Sequence, residues 1–379
     1  MNRLMVLGTA ALVAIAACSP DSNSVSGPAA DRVSRIEASS QVGGGDGPGA
    51  VYALTNQAGA NAVAVFARSA DGALTWQTNV PTGGSGAGSG LGSQGAIALS
   101  DDGRWVFAVN AGSNDVSAFH VTTSGLSLTS RVASGGVRPI SLTVHGGVVY
   151  VLNAGGDGNI SGFSVGSDGT LSPIPGSTRA LSGTNVGPAQ VAFSPDGQRL
   201  VVTEKTTNRL DVYTVDGDGV ASTATTTASA GGTPFGFAFG HRAELFVSEA
   251  AGSASSYVIA NDGSLTLASG GVLTHQGAPC WAVVTKNGKF GYTANAQGGS
   301  ISGFAIDNDG SIGLIDADGR TAVVGGGNID LALSDNSRYL YQLNGDRSIS
   351  GFRIEADGHL TPAGRTAGMP ASTVGLVAR

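Results

Sequence analysis

Glu204 and Glu249 interrupt a series of asparagines, and chemistry could start at that interruption. Asn56, Asn110, Asn153, Asn295 and Asn344 fall at one position of a repeated unit, and the two glutamates take that position in adjacent units. Two neighbouring carboxylates can serve as acid and base, because each raises the other's pKa. Lys205 directly follows Glu204, and Arg138 lies in the run Gly135-Gly136-Val137-Arg138-Pro139, so two cations stand ready to clamp a carboxylate. A plainer reading competes. Each glutamate could be held by Lys205, Arg138 or a backbone donor, and an asparagine ending a strand commonly serves a turn.

Gln190, Phe235 and Trp281 occur in segments comparable to that of Arg138, so with Asn153 and Asn295 they complete a candidate binding wall. Cys280, beside Trp281 and near His275, could be a nucleophile with a base, although a lone buried cysteine is the commoner case. His120, His145, His241 and His359 show no metal-ligand spacing, and the Asp-Gly turns lack the dense acidic set calcium needs. Neither a metal nor a cofactor is expected.

The elements that must position these residues come from a repeat. Asp71-Gly72, Ser124-Gly125, Asp168-Gly169, Asp218-Gly219, Asp262-Gly263, Asp309-Gly310 and Asp357-Gly358 recur at intervals of roughly 50 residues, and an apolar residue follows each after at most one other. Asp-Gly suits a tight hairpin turn, and a period of this length built from strands and turns indicates propeller blades. The fourth unit is the clearest. It predicts strands over 188–193, 199–204, 209–215 and 222–229, running from continuously apolar to polar. The first unit opens directly on a second strand at Val51, while Ser372 to Val377 remains over at the other end. The expectation is therefore an all-β, seven-bladed β-propeller closed by a C-terminal inner strand that joins the first blade. Alternate loops share a face, so the candidate residues would ring one mouth of the central channel.

Among 379 residues there are 61 glycines, 6% aromatic and 12% charged residues, which fits a turn-rich β protein. A net charge of −7 with no basic cluster argues against a nucleic-acid partner. Residues 1–17 read as a secretory signal with a short positive start and an apolar stretch. That stretch ends Ile15-Ala16-Ala17-Cys18, which resembles a bacterial lipobox, so Cys18 is the expected lipidation site. Residues 18–49 then form a flexible tether, and 50–379 the propeller. Ser19 favours the outer membrane, facing the periplasm or the cell surface, with membrane contact through the lipid alone. With Cys18 acylated, Cys280 is left as a single thiol and no disulfide is expected. The chain is read as a monomer.

The seven units, with Ser194-Pro195-Asp196-Gly197, the Asp-Gly-x-Leu turns and the terminal Asn or Glu, resemble the lactonase-type seven-bladed propellers. That family includes 3-carboxymuconate cyclases and 6-phosphogluconolactonases. The resemblance covers about residues 50–379 and implies a small carboxylate or lactone ligand, with Arg138 and Lys205 holding carboxylates and Glu204 and Glu249 moving a proton. A histidine-rich entry to an inner strand is missing, since Gly92-Ser93-Gln94-Gly95 and 135–139 occupy such places. Two alternatives stay open. One is a non-catalytic propeller binding a small ligand or an envelope protein. The other is a cofactor-bearing propeller, for which no motif speaks.

Overall fold

The computed structural model describes residues 47–240 and 244–379. The signal segment, Cys18, most of the tether and His241 lie outside the described residues. Apolar runs bounded by Gly, Asp and Asn make strands throughout, and no helix occurs among the described residues.

Seven antiparallel sheets follow one another along the chain, each with four principal strands. Blade four contains Pro188–Phe193, Arg199–Glu204, Arg209–Thr214 and Thr225–Ala228, paired in that order from inside to outside. Its second strand is buried at every position, because neighbouring blades cover both faces. Its outermost strand is largely exposed, as the polar composition predicts. Third-strand aromatics Phe66, Phe119, Phe163, Tyr213, Tyr257, Phe304 and Phe352 are all buried.

The Asp-Gly turns also tie blade to blade. Second-strand tyrosines donate to turn carbonyls of the following blade: Tyr150 to Gly219, Tyr292 to Gly358, and Tyr341 to Gly72, at 2.7–2.9 Å. Gly169 has a φ of +82°, and a Cβ there would come within 2.1 Å of the Trp105 ring in the preceding blade. Positive φ and close packing together require glycine at that turn.

Closure matches the expectation. Val374–Ala378 pairs antiparallel with Gly49–Leu54, so the tail supplies the innermost strand of blade one. Arg68 Nε donates to the Arg379 carbonyl at 3.1 Å, and the backbones of Ala50 and Arg379 exchange two hydrogen bonds. Asp330, on the innermost strand of blade seven, accepts the Leu376 amide at 3.0 Å and thereby holds the closing strand sideways. Burial pushes the Asp330 carboxyl well above its usual range.

Removing residues 374–379 should leave the Gly49–Leu54 edge unpaired and the Asp330 carboxyl without its Leu376 partner. Light scattering should then show association, and urea unfolding should lose its single transition. A monomer with unchanged unfolding would show that closure contributes nothing.

Candidate functional site

The innermost strands of blades three to six each carry a proline close to their start: Pro139, Pro188, Pro234 and Pro279. The residue before each proline has left-handed backbone: Arg138 at +55°, Gly187 at +63°, Thr233 at +59° and Ala278 at +54°. A bulge follows each proline. Such conformations cost roughly 1 kcal/mol or more for residues other than glycine and persist only where the surroundings impose them. Here an asparagine of the preceding blade helps: Asn114 Oδ1 accepts the Arg138 amide and Asn208 Oδ1 accepts the Thr233 amide, both at 2.7 Å. Arg138 therefore sits exposed on a fixed, strained rim.

Lys205, which follows the second strand of blade four, reaches inward. Its Nζ lies 5.0 Å from the centre of the Phe235 ring and donates to the Gly92 carbonyl at 2.5 Å and the Pro188 carbonyl at 3.2 Å. Both partners are neutral. Burial, assisted by the nearby Arg138 charge, pushes its pKa down to about 8. Phe235 meets Trp281 edge-on with centroids 5.3 Å apart. The structure thus gathers Lys205, Phe235 and Trp281, with Arg138 close enough to be felt electrostatically.

The opening itself is filled by Ser93, Gln94 and Gly95. Gln94 clasps both backbone groups of Ala282 in blade six, at 2.7 and 2.9 Å, and donates its own amide to Ala189 in blade four. Trp281 Nε1 donates to the Ser93 carbonyl, Ser93 Oγ donates to the Ile140 carbonyl, and the Leu142 amide donates to the Gly95 carbonyl. Lys205 stands half-buried at the edge of this closed axis, on a shelf it forms with Phe235 and Trp281. Two open recesses, of about 470 and 370 Å³, lie among the turns of the opposite rim, one beside His145 and Asp101 and one beside Lys289 and Glu355. Neither adjoins Lys205.

Several expected ligand groups are instead engaged within the fold. Gln190 clasps both backbone groups of Phe237 in the next blade. Asn153 is fully buried and donates to the Ser134 carbonyl and to Asn159, while Asn295 is fully buried and donates to Ser300 and Ser302. Glu249 is fully buried too and accepts from Ser229, Gly231, Ser253 and Ser255. Glu204 accepts from Ser182 and Thr207. The two glutamates therefore do not share an open mouth, because each is turned onto its own blade and the chain crossing into it. Cys280 is fully buried on the innermost strand of blade six.

One carboxyl pair was not anticipated. Asp211 hydrogen-bonds to Glu204, and the Ser182 amide donates to both, at 3.1 and 3.0 Å. Burial first, and the contact with Glu204 second, push Asp211 up to about 7. The signal was a column on the third strands, Ser117, Ser161, Ser255, Ser302 and Ser350, in which blade four alone places an aspartate. The folded state keeps on Asp211 a proton that the unfolded chain releases near pH 4, so this pair lowers stability as pH rises from there through about 7. Asp211→Asn should flatten that decline and raise stability at about pH 8 by about 1–3 kcal/mol, read from urea midpoints across pH. An unchanged pH profile would refute proton sharing.

A profile of the family described as "Lactonase, 7-bladed beta-propeller" matches residues 50–186 and 241–318. Curated protein sequences give no match. Among solved structures, a candidate 6-phosphogluconolactonase from Bacteroides fragilis is 20% identical with a TM-score of 0.67, covering 87% of this chain and 98% of its own. The periplasmic gluconolactonase of Pseudomonas aeruginosa is 17% identical with a TM-score of 0.70, covering 87% and 99%. A Lactobacillus plantarum protein, also 17% identical, reaches 0.72 with the same coverage. At such identities the likeness speaks for the fold, whereas the profile match spans more than half of the sequence. The chain belongs to the seven-bladed β-propeller lactonase family.

Proposed function

We propose that the protein opens or forms the lactone of a small carboxylate on the shelf around Lys205 and Arg138, and that it does so as a lipoprotein of the cell envelope. The observation carrying this reading is a pair of neighbouring cations, one of them half-buried and hydrogen-bonded to neutral carbonyls alone, in a chain of net charge −7. Such a pair suits an anionic ligand, and Phe235 with Trp281 backs the shelf with an apolar wall.

In the opening direction, water adds to the lactone carbonyl carbon and the ring acyl–oxygen bond breaks. The departing alkoxide takes a proton, and the new carboxylic acid releases one to solvent. Lys205 in its ammonium form stabilises the oxyanion and hands its proton to the alkoxide, then recovers one from the attacking water. Arg138 holds a carboxylate of the ligand. Glu204 and Glu249 keep their positions in the blades and take no part. Their engagement within the fold favours a second reading, in which the shelf binds a small anion without turnover.

Purified mature protein assayed against a panel of aldonolactones separates these readings. Turnover is expected, and kcat/KM should fall as pH rises through about 8, because the ammonium loses its proton there. Lys205→Met should lower kcat/KM by about 100-fold or more. Arg138→Gly should cost about tenfold while leaving the unfolding midpoint unchanged or higher, since glycine relieves the strained backbone. No turnover on any lactone, with an anion still bound, would establish the second reading. Export is tested separately: Cys18→Ala should release the protein from membranes, and retention there would refute lipid anchoring.

A further inference from the structure

The proposed shelf is occupied by the chain itself. The half-buried Lys205 ammonium makes its shorter hydrogen bond to the Gly92 carbonyl. Gly92 belongs to a three-residue arm, Gly90-Leu91-Gly92, suspended between two firm anchors. On one side Asn56 Nδ2 donates to the Ser89 carbonyl at 2.6 Å. On the other, Ser93 is fixed by Trp281 and Ile140 and Gln94 by Ala282 and Ala189. Within the arm itself, two attachments are visible: the bond from Lys205 to Gly92 and the burial of Leu91, which is 6% exposed. Two of the three residues are glycine, and Gly92 has a φ of +64°, so the arm can turn without moving its anchors.

We infer that the Gly90–Gly92 arm is an internal occupant of the anion subsite, and that a small carboxylate binds Lys205 by displacing the Gly92 carbonyl. This rests on the reading of Lys205 and Arg138 as the ligand-holding cations. The exchange is favourable on elementary grounds. A neutral carbonyl leaves an enclosed ammonium uncompensated, whereas a carboxylate supplies a charge-assisted hydrogen bond and offsets the Arg138 charge as well. The cost is the release of Leu91 and one carbonyl contact. Gln94 and its clasps stay in place, so the axis remains shut while the shelf opens. The ligand class follows from the same geometry: a compact anion no deeper than the space the arm vacates, with its apolar part against Phe235 and Trp281.

The test uses the full mature protein and malonate as the probe. In NMR spectra of carbon-13-labelled protein the Gly92 carbonyl and Leu91 methyl resonances should move with malonate, while the Gln94 and Phe237 amide resonances stay in place. Lys205→Met should abolish this response. Leu91→Ala should loosen the arm without malonate and tighten malonate binding about tenfold by titration calorimetry, because part of the opening cost is then already met. Should Leu91→Ala fail to fold, Leu91→Val should move affinity the same way by a smaller factor. Binding of malonate without a change at 90–92, an unaltered affinity in the leucine variants, or no binding at all would overturn the inference. Lactone turnover is measured on the same samples. Turnover with a still arm sinks the displacement alone, whereas a responsive arm without turnover sinks the lactonase reading alone.

Discussion

The ring depends on one polar side chain buried at the end of each second strand. Wherever the chain crosses from the rim of one blade to the centre of the next, it carries backbone amides and carbonyls into enclosed space, where each needs a partner. Asn153 answers the Ser134 carbonyl, Glu204 the Ser182 amide, and Glu249 the Gly231 amide. Asn110 works through Thr82, and Asn56 through the Ser89 carbonyl. The choice between Asn and Glu follows from what the crossing segment presents. An amide side chain can donate to a carbonyl, whereas a carboxylate can only accept, and it is found where amides and hydroxyls point inward.

Once those crossings are fixed, the entries to the inner strands are fixed as well. The left-handed Arg138 and Thr233 are strained, and the strain is tolerated because an asparagine of the preceding blade caps each. Arg138 is the residue for which the cost has a visible return, since its backbone is held rigid while its charge faces outward beside Lys205. Lys205 in turn is desolvated by Phe235 and by the arm, which weakens its hold on its proton and strengthens its pull on any anion that arrives.

Most of the architecture was legible from local signals. Asp-Gly turns, continuous apolar second strands and an unpaired first and last strand are all matters of neighbouring residues, so blade number, blade order and closure could be read directly. The site was legible only in part. Lys205, Phe235 and Trp281 lie together with Arg138 near them, as the loop alternation of a blade leads one to expect. The direction in which a strand-end side chain turns is not a local property. It depends on whether the crossing chain offers Glu204 and Glu249 partners inside the blade, and those partners, Ser182 and Gly231, belong to segments of irregular sequence. The bond from Lys205 to the Gly92 carbonyl was hidden for the same reason. Gly92 contributes only a backbone carbonyl there, and a backbone atom leaves no trace in a sequence.

The tail strand carries a consequence for how the molecule comes into being. Val51 faces Ala378 across the final pairing, so the first strand of the sheet array waits for a partner made only after all seven blades' other strands. Seven blades can form in turn from near neighbours, but the circle stays broken throughout synthesis, with one raw edge at the head. Contacts spanning nearly the whole chain are slow to find. Only when that strand docks does the head blade gain its fourth strand and the ring close.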